Sequence, residues 1–393
     1  MEIELLKNKS TQGALETSNF TQNKFVVEQK ALVGLLASMQ PICTKRTAID
    51  SPSSILFQVG NKELILKSTD LEVSLQASCT LAESNFTENR SFLVPGKRIF
   101  DVVKELDDNI TCSLESNQLT LKSNGVNLAL NIKDAQEFPP FPERIENLMH
   151  INATHLRNML DNVAFLIPQN NANSALNGLL LEISSKEFSM TATDGHCLAR
   201  VSNTTYTLSE TKSWLLPRRA IFELKKILET SQDNTVFLGI CGNQLVFSGE
   251  FFNFFTKLLA DPFPNYRPIL DRNDFVTASL DRARFIKTLR RSVSLLSGQF
   301  IATKFSFSAD GLKVSMNNKE VGMLDEHMPV ANYSGAELDV RFYAPYLLSG
   351  IQVIDTDLVK FYLKNGAKPI IFESEGESFN TTYLVMPVSN TTK

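Results

Sequence analysis

A repeat constrains this chain more than any other feature. Ser68-Thr69-Asp70 and Ala192-Thr193-Asp194 each end an alternating apolar and polar run, and their aspartates stand 124 positions apart. The apolar stripe Leu32, Leu35, Leu36, Met39, spaced for one face of a helix, returns at the same distance as Leu156, Met159, Leu160, Val163. Leu93-Val94-Pro95-Gly96-Lys97-Arg98-Ile99-Phe100 returns 122 positions later as Leu215-Leu216-Pro217-Arg218-Arg219-Ala220-Ile221-Phe222. A third, more diverged copy carries Phe285, Leu289, Val293 and Leu296 as its first stripe and Leu347, Ile351 and Ile354 as its second. In it Asn318 stands where the aspartate stood, again 124 positions on.

A repeat of this length is a whole domain, not a solenoid unit. Each copy reads helix, strands, helix, strands, which predicts an α+β domain with two helices covering one face of antiparallel sheet. Pro95 and Pro217 sit at helix starts, where a missing N–H costs nothing. Two strands are expected within 110–133, and the first helix is expected to stop at Pro41. Two Pro-rich segments, Phe138 to Pro142 and Asp261 to Pro268, suit neither a helix nor a central strand and read as links between domains. The predicted organisation is a polar tail over 1–23, then domains over 24–145, 146–272 and 273–393.

Composition narrows the function. Lys and Arg number 39 against 43 Asp and Glu, a net charge of −4, so affinity for a polyanion would need a local basic surface. No apolar run is long enough to span a membrane, and no secretory signal is evident at the N-terminus. The five scattered cysteines, without a CxxC pair, suit reduced thiols in the cytoplasm. The Asn-x-Ser/Thr triplets then read as chance occurrences.

The stretch Thr193-Asp194-Gly195-His196-Cys197-Leu198-Ala199 reads as a tight turn presenting His196 and Leu198. His196 and Cys197 suit a structural or binding role better than a nucleophile and base, because neighbours on an extended segment point to opposite faces. Metal-ligand spacing and a phosphate-cradling loop are both missing, so no metal and no cofactor is expected. Cations recur on the predicted helices instead: Lys97, Arg98 and Lys104; Arg157; Arg218, Arg219 and Lys225; Arg282 and Lys287. One such helix is an ordinary solvated face, but the recurrence points to a shared surface for phosphates, read without sequence preference.

Taken together, Ser68-Thr69-Asp70-Leu71-Glu72, Leu176-Asn177-Gly178, Ala192-Thr193-Asp194-Gly195-His196, Phe263-Pro264-Asn265-Tyr266-Arg267, Tyr333-Ser334-Gly335-Ala336-Glu337 and Val385-Met386-Pro387 resemble the bacterial DNA polymerase III beta subunit family, the beta sliding clamps. The resemblance runs from about residue 24 to 389. It implies a non-catalytic accessory protein: a head-to-tail homodimer closed as a ring round double-stranded DNA, helices inside and sheets outside. It also implies partners, namely the replicative polymerase catalytic subunit, the clamp-loader complex, and other polymerases and repair proteins carrying clamp-binding peptides.

Transferred by motif, the peptide pocket comprises Leu176, Thr193, Gly195, His196, Leu198, Pro264, Ile269, Leu384, Val385, Met386 and Pro387. DNA contacts are expected to add Lys45, Arg46 and Asn170 to the helix cations. The dimer seam is expected to join Leu128 and Leu130 to Leu295 and Leu296. Cys197, Pro268 and Ser389 stand where the family commonly has basic residues, which implies a less basic pocket rim. Two other readings remain open, an enzyme using His196 and Cys197 and a clamp-derived regulator that does not encircle DNA.

Overall fold

A computed structural model of the chain describes residues 23–43, 53–231, 233–297, 300–376 and 378–388. Lys45, Arg46, Ser389 and the segment 1–22 lie outside the described residues. The first unit contains β1 (Asn23–Glu28), α1 (Gln29–Cys43), β2 (Ser54–Val59), β3 (Glu63–Thr69), β4 (Val73–Thr80), β5 (Glu83–Ser84), β6 (Arg90–Pro95), α2 (Gly96–Val103), β7 (Asn109–Leu114), β8 (Gln118–Ser123), β9 (Val126–Asn131) and β10 (Lys133–Asp134). The second contains β11 (Glu146–Asn152), α3 (Ala153–Ala164), β12 (Gly178–Ile183), β13 (Phe188–Thr193), β14 (Cys197–Asn203), β15 (Lys212–Pro217), α4 (Arg218–Thr230), β16 (Thr235–Cys241), β17 (Gln244–Ser248) and β18 (Phe252–Lys257). The third contains β19 (Val276–Asp281), α5 (Arg282–Ser294), β20 (Thr303–Ser308), β21 (Gly311–Asn318), β22 (Gly322–Met328), β23 (Leu338–Phe342), α6 (Ala344–Val353), β24 (Leu358–Leu363), β25 (Ile370–Glu375) and β26 (Asn380–Val385).

Apart from the short β5 and β10, the three units share one order: strand, helix, four strands, helix, three strands. The leading strand and the last strand of 110–133 correct the sequence reading, which expected two strands there where β7, β8 and β9 stand. Another correction is α1, which runs through Pro41 to Cys43 because Ile42 and Cys43 complete its buried face. Leu106 lies beyond the end of α2 and Leu296 beyond the end of α5, although both are apolar at helical spacing.

Antiparallel pairing joins the units into wider sheets. A nine-stranded sheet crosses from the first to the second unit by β4 against β18, and an eight-stranded sheet crosses from the second to the third by β14 against β26. A five-stranded sheet (β5-β1-β7-β8-β9) and a four-stranded sheet (β22-β21-β20-β23) complete the chain. The helices pack in pairs, α1 on α2, α3 on α4 and α5 on α6, and bury their stripes in one continuous apolar core against the sheets. The third copy looked diverged because its first helix buries polar groups. Thr288 bonds Glu326, and Ser292 bonds Thr303 at 2.6 Å, where the second copy buries Met159 and Val163.

Candidate functional site

The Asp-Gly turn organises the second boundary. Asp194 accepts the backbone N–H groups of His196 and Cys197 at 2.8 and 2.7 Å, while Thr193 accepts that of Gly195 and donates to the Cys197 carbonyl. Gly195 sits at φ +92°, a conformation that glycine takes without strain. The turn therefore exposes His196 and drives Cys197 into the core. Burial pushes the Cys197 thiol up to about 12, with the Asp194 charge adding to the rise and the interaction with Tyr383 opposing it. Cys197 is only 1% exposed, so the adjacent pair presents no accessible thiol at the surface.

A second, smaller apolar cluster lies on the sheet face away from the main core. Leu198 opposes Leu384, Leu384 opposes Ile371, and Ile371 opposes Tyr362, one row across four strands and across the domain boundary. Leu180 and Leu215 pair beside this row, and Ala175 and Tyr266 join it. Leu259, Phe263, Leu270, Phe275 and Met386 form its partly exposed margin. The linker crosses this face, held by Tyr266 and Arg267 on Glu182 at 2.7 and 2.9 Å and by Arg272 on Glu373 at 2.7 Å.

The expected pocket residues are largely brought together. Leu176 lies beside Gly195, close enough that a β-carbon there would touch it at 3.9 Å. The Met386 N–H donates to the His196 carbonyl at 2.9 Å, tying the C-terminal segment Met386-Pro387 to the turn. Leu198 and Leu384 are floor, Thr193 is buried at its edge, and Pro264 and Ile269 are exposed on the linker. Val385 is a correction: strand alternation turns its side chain away from Leu384 and into the main core. Sequence reasoning missed Tyr346 of α6, whose ring stacks on His196 at 5.8 Å and whose carbonyl receives the Tyr383 hydroxyl at 2.8 Å. It also missed Leu180, Leu215, Tyr266, Tyr362 and Ile371. The unbroken apolar runs Leu179-Leu180-Leu181 and Trp214-Leu215-Leu216 carried that signal, because only a strand covered on both faces needs them.

The helix cations divide into two groups. Lys97, Arg98, Lys104 and Lys287 are exposed, as is Asn170, while Arg157 is half-buried. Arg218, Arg219, Lys225 and Arg282 are engaged within the protein. Arg218 donates to the Ile167 carbonyl and covers the Phe222 ring, Lys225 pairs with Asp161 at 2.5 Å, and Arg282 donates to the Ile351 and Gln352 carbonyls. Arg219 pairs with Asp70, which is fully buried, and donates to the Pro41 carbonyl at 3.1 Å. Burial pulls the Arg219 guanidinium below its ordinary value, against the opposing pull of Glu223. Arg219 is thus committed to a domain boundary more than to an open face. Among the described residues no cluster of His, Cys, Asp and Glu could hold a metal ion, and no helix is long and apolar enough to cross a membrane.

Three tandem domains joined sheet to sheet, helices on one face and a second apolar cluster on the other, place the molecule in the class of DNA-clamp folds. The N-terminal, central and C-terminal domain models of the DNA polymerase III beta subunit match residues 23–142, 150–265 and 267–389. The chain belongs to that family, and its function is that of a DNA polymerase III sliding clamp. It is 28% identical over 368 residues to the beta sliding clamp of Pseudomonas aeruginosa, covering 93% of this chain and 99% of the relative. It is 26% identical over 376 residues to that of Chlamydia muridarum, covering 93% and 98%. Among solved structures it resembles the P. aeruginosa beta subunit with a TM-score of 0.84 at 28% identity over 93% and 99% of the two chains. It also resembles the P. aeruginosa clamp bound to griselimycin, with a TM-score of 0.85 at 27% identity over 94% and 100%.

Proposed function

We propose that two copies of this chain close head to tail into a ring that threads duplex DNA and acts without catalysis. The observation that carries this reading is a pair of sheet edges, β9 and β22, that have no further strand partner among the described residues. Both boundaries inside the chain are made by one strand of each domain, and the chain ends its five-stranded sheet at β9 and its four-stranded sheet at β22. Joined between subunits, these edges would form a third wide sheet of nine strands like the one inside the chain. Leu128 and Leu130 on β9 are half-buried, as are Leu295 and Leu296 at the end of α5, where Asn318 holds the Leu295 carbonyl at 2.7 Å. Each pair gains its remaining burial when the edges meet.

Within the ring, the exposed Lys97, Arg98, Lys104, Lys287 and Asn170, with half-buried Arg157, line the duplex and touch phosphates weakly. Topology supplies retention, so loose contacts permit sliding. The apolar cleft between the second and third domains docks short segments of the replicative polymerase, the clamp loader and repair proteins, and so raises their concentration at the primer end. The proposed setting is the cytoplasm.

Solution mass and DNA retention test the ring. The protein should be a dimer that, once loaded, stays on nicked circular DNA and runs off after linearisation. A monomer at all concentrations, or equal loss from both DNAs, would overturn the reading.

A further inference from the structure

The repeat leaves a crevice beside the helices at each boundary inside the chain, and the two copies differ. At the second boundary α3 and the end of α6 flank a crevice of about 510 Å³, lined by Asn158, Asn162, Ser374, Thr381 and Val353 among others and mostly polar. At the first, α1 and the end of α4 flank one of about 530 Å³. The positions correspond. Gly34 and Ser38 stand 124 residues before Asn158 and Asn162, and Ile227 near the end of α4 takes the place of Val353 at the end of α6. Phe252 opposes Ala77 as Thr381 opposes Val201. The first crevice is therefore apolar. Leu75, Ala77, Ile227 and Phe252 are its buried floor, and half-buried Leu35 and exposed Phe251 are its walls.

One side chain separates the two. At the second boundary α3 supplies a ring: His155 packs on Phe379 at 5.3 Å and on Tyr206 at 6.0 Å, and shares a hydrogen bond with the Tyr206 hydroxyl at 2.9 Å. Phe379 lines that crevice. The matching residue of α1 is Ala31, 124 positions earlier, and it lines the first crevice without filling it. Phe251 is left 51% exposed, and a β-carbon at Gly34 would meet nothing within 4 Å. The rim carries Glu28, Lys30 and Asp233. Asp233 accepts the Ser231 hydroxyl at 2.6 Å and the Glu250 N–H at 3.1 Å, while Glu28 and Lys30 make no ion pair among the described residues.

We propose that this crevice binds a small planar aromatic amine, whose ring supplies what His155 supplies in the other copy and whose ammonium faces Glu28 and Asp233. An apolar slot with a few polar groups at its mouth suits such a ligand, and a ring against Phe251 adds a directional aromatic contact. Two carboxylates against one ammonium select a cation over an anion. Leu75 and Ala77 belong to the main core, so the site lies on the helix side of the sheet, away from the second apolar cluster. It does not depend on the ring reading.

Titration of the full, methyl-labelled chain with tryptamine, followed by NMR, tests this. The Leu35 and Ile227 methyl signals should shift with a dissociation constant of about 1 mM, the range for a ligand of that size. Indole-3-acetate, with the same ring and the opposite charge, should bind about fivefold more weakly. Glu28→Gln should weaken tryptamine about threefold and leave indole-3-acetate no weaker. Ala31→His supplies the ring from the chain itself and should abolish the shifts. Phe251→Ala, on an exposed hairpin, should weaken binding about fivefold, and it keeps the test open if Ala31→His fails to fold. Shifts confined to the Leu384 methyls, undiminished binding to a folded Ala31→His or to Phe251→Ala, or equal affinity for the two indoles would each overturn the proposal. So would no shift of Leu35 or Ile227 at about ten times the expected dissociation constant.

Discussion

The boundary between the first and second domains and that between the second and third come from the same repeat and finish differently. Both carry the same turn. Asp70 accepts the N–H groups of Glu72 and Val73 as Asp194 accepts those of His196 and Cys197, and Leu71 takes φ +74° where Gly195 takes +92°. Both carry the same crossing bond, from Lys257 to the Glu72 carbonyl in one and from Met386 to the His196 carbonyl in the other, each at 2.9 Å. At the first boundary Asp70 is locked by Arg219 from the second position of α4; at the second, α6 has Pro345 there, and Asp194 makes no ion pair among the described residues. On the outer face, the first boundary is covered by its own linker. The Phe141 ring packs on Phe255 at 5.5 Å, with the Lys67 ammonium 5.1 Å above it. At the second, the linker crosses the face, held by Glu182 and Glu373, and a margin of Leu259, Phe263, Leu270, Phe275 and Met386 stays partly exposed around the buried row. A repeated module can thus finish two copies of one boundary differently by changing a few contacts.

The largest expected effect tests the lock. Asp70→Ala strands the half-buried Arg219 and two turn N–H groups, and should cost about 3–5 kcal/mol of stability, as when one member of a buried pair is removed. Asp194→Ala loses the turn bonds alone, about 1–2 kcal/mol. Urea unfolding of both variants measures the gap, and equal losses would erase the distinction between the boundaries.

The cover comes next. Phe141→Ala should cost about 2 kcal/mol, for a half-buried ring with its aromatic and cationic contacts. It should also open the first boundary, so that titration with a labelled partner peptide rises from one site per subunit toward two. Unchanged stoichiometry would mean that Phe141 fills a gap without guarding a cleft.

These contrasts show what the linear sequence could reveal. The repeat, the helix stripes and the Pro-rich linkers were legible because each depends on neighbours within one turn or one strand. The commitment of Arg219 was hidden, since it sits in a basic run and its partner Asp70 is 149 residues away. The split between Leu384 and Val385 needed the orientation of β26, and Tyr346 needed the docking of α6 on the turn. Pro41 marked a plausible helix end, and tertiary burial of Ile42 and Cys43 overrode it.

Tyr346 offers a smaller effect, confined to the second boundary. Tyr346→Ala removes the ring stacked on His196, and partner-peptide affinity should fall roughly fivefold, as the worth of one aromatic pair suggests. Stability to urea should change little, since the ring is partly exposed. A stability loss with unchanged affinity would make Tyr346 a support of α6 and not a wall of the cleft.

The smallest effect is one of pH, and it concerns how the second linker is held. Burial alone would raise the Glu373 carboxyl, but the bonds from Arg272 and Tyr362 outweigh it and hold the group below its ordinary value of 4.5. A carboxylate depressed in the folded state stabilises the fold above its unfolded value, and that contribution is lost as pH falls through the folded value. The protein should therefore exceed Glu373→Gln in melting temperature by a few degrees at pH 6–7, and the difference should close below about pH 4. A constant difference from pH 7 to pH 3 would show that the amide disturbs packing, and that the Arg272 charge does not hold the linker.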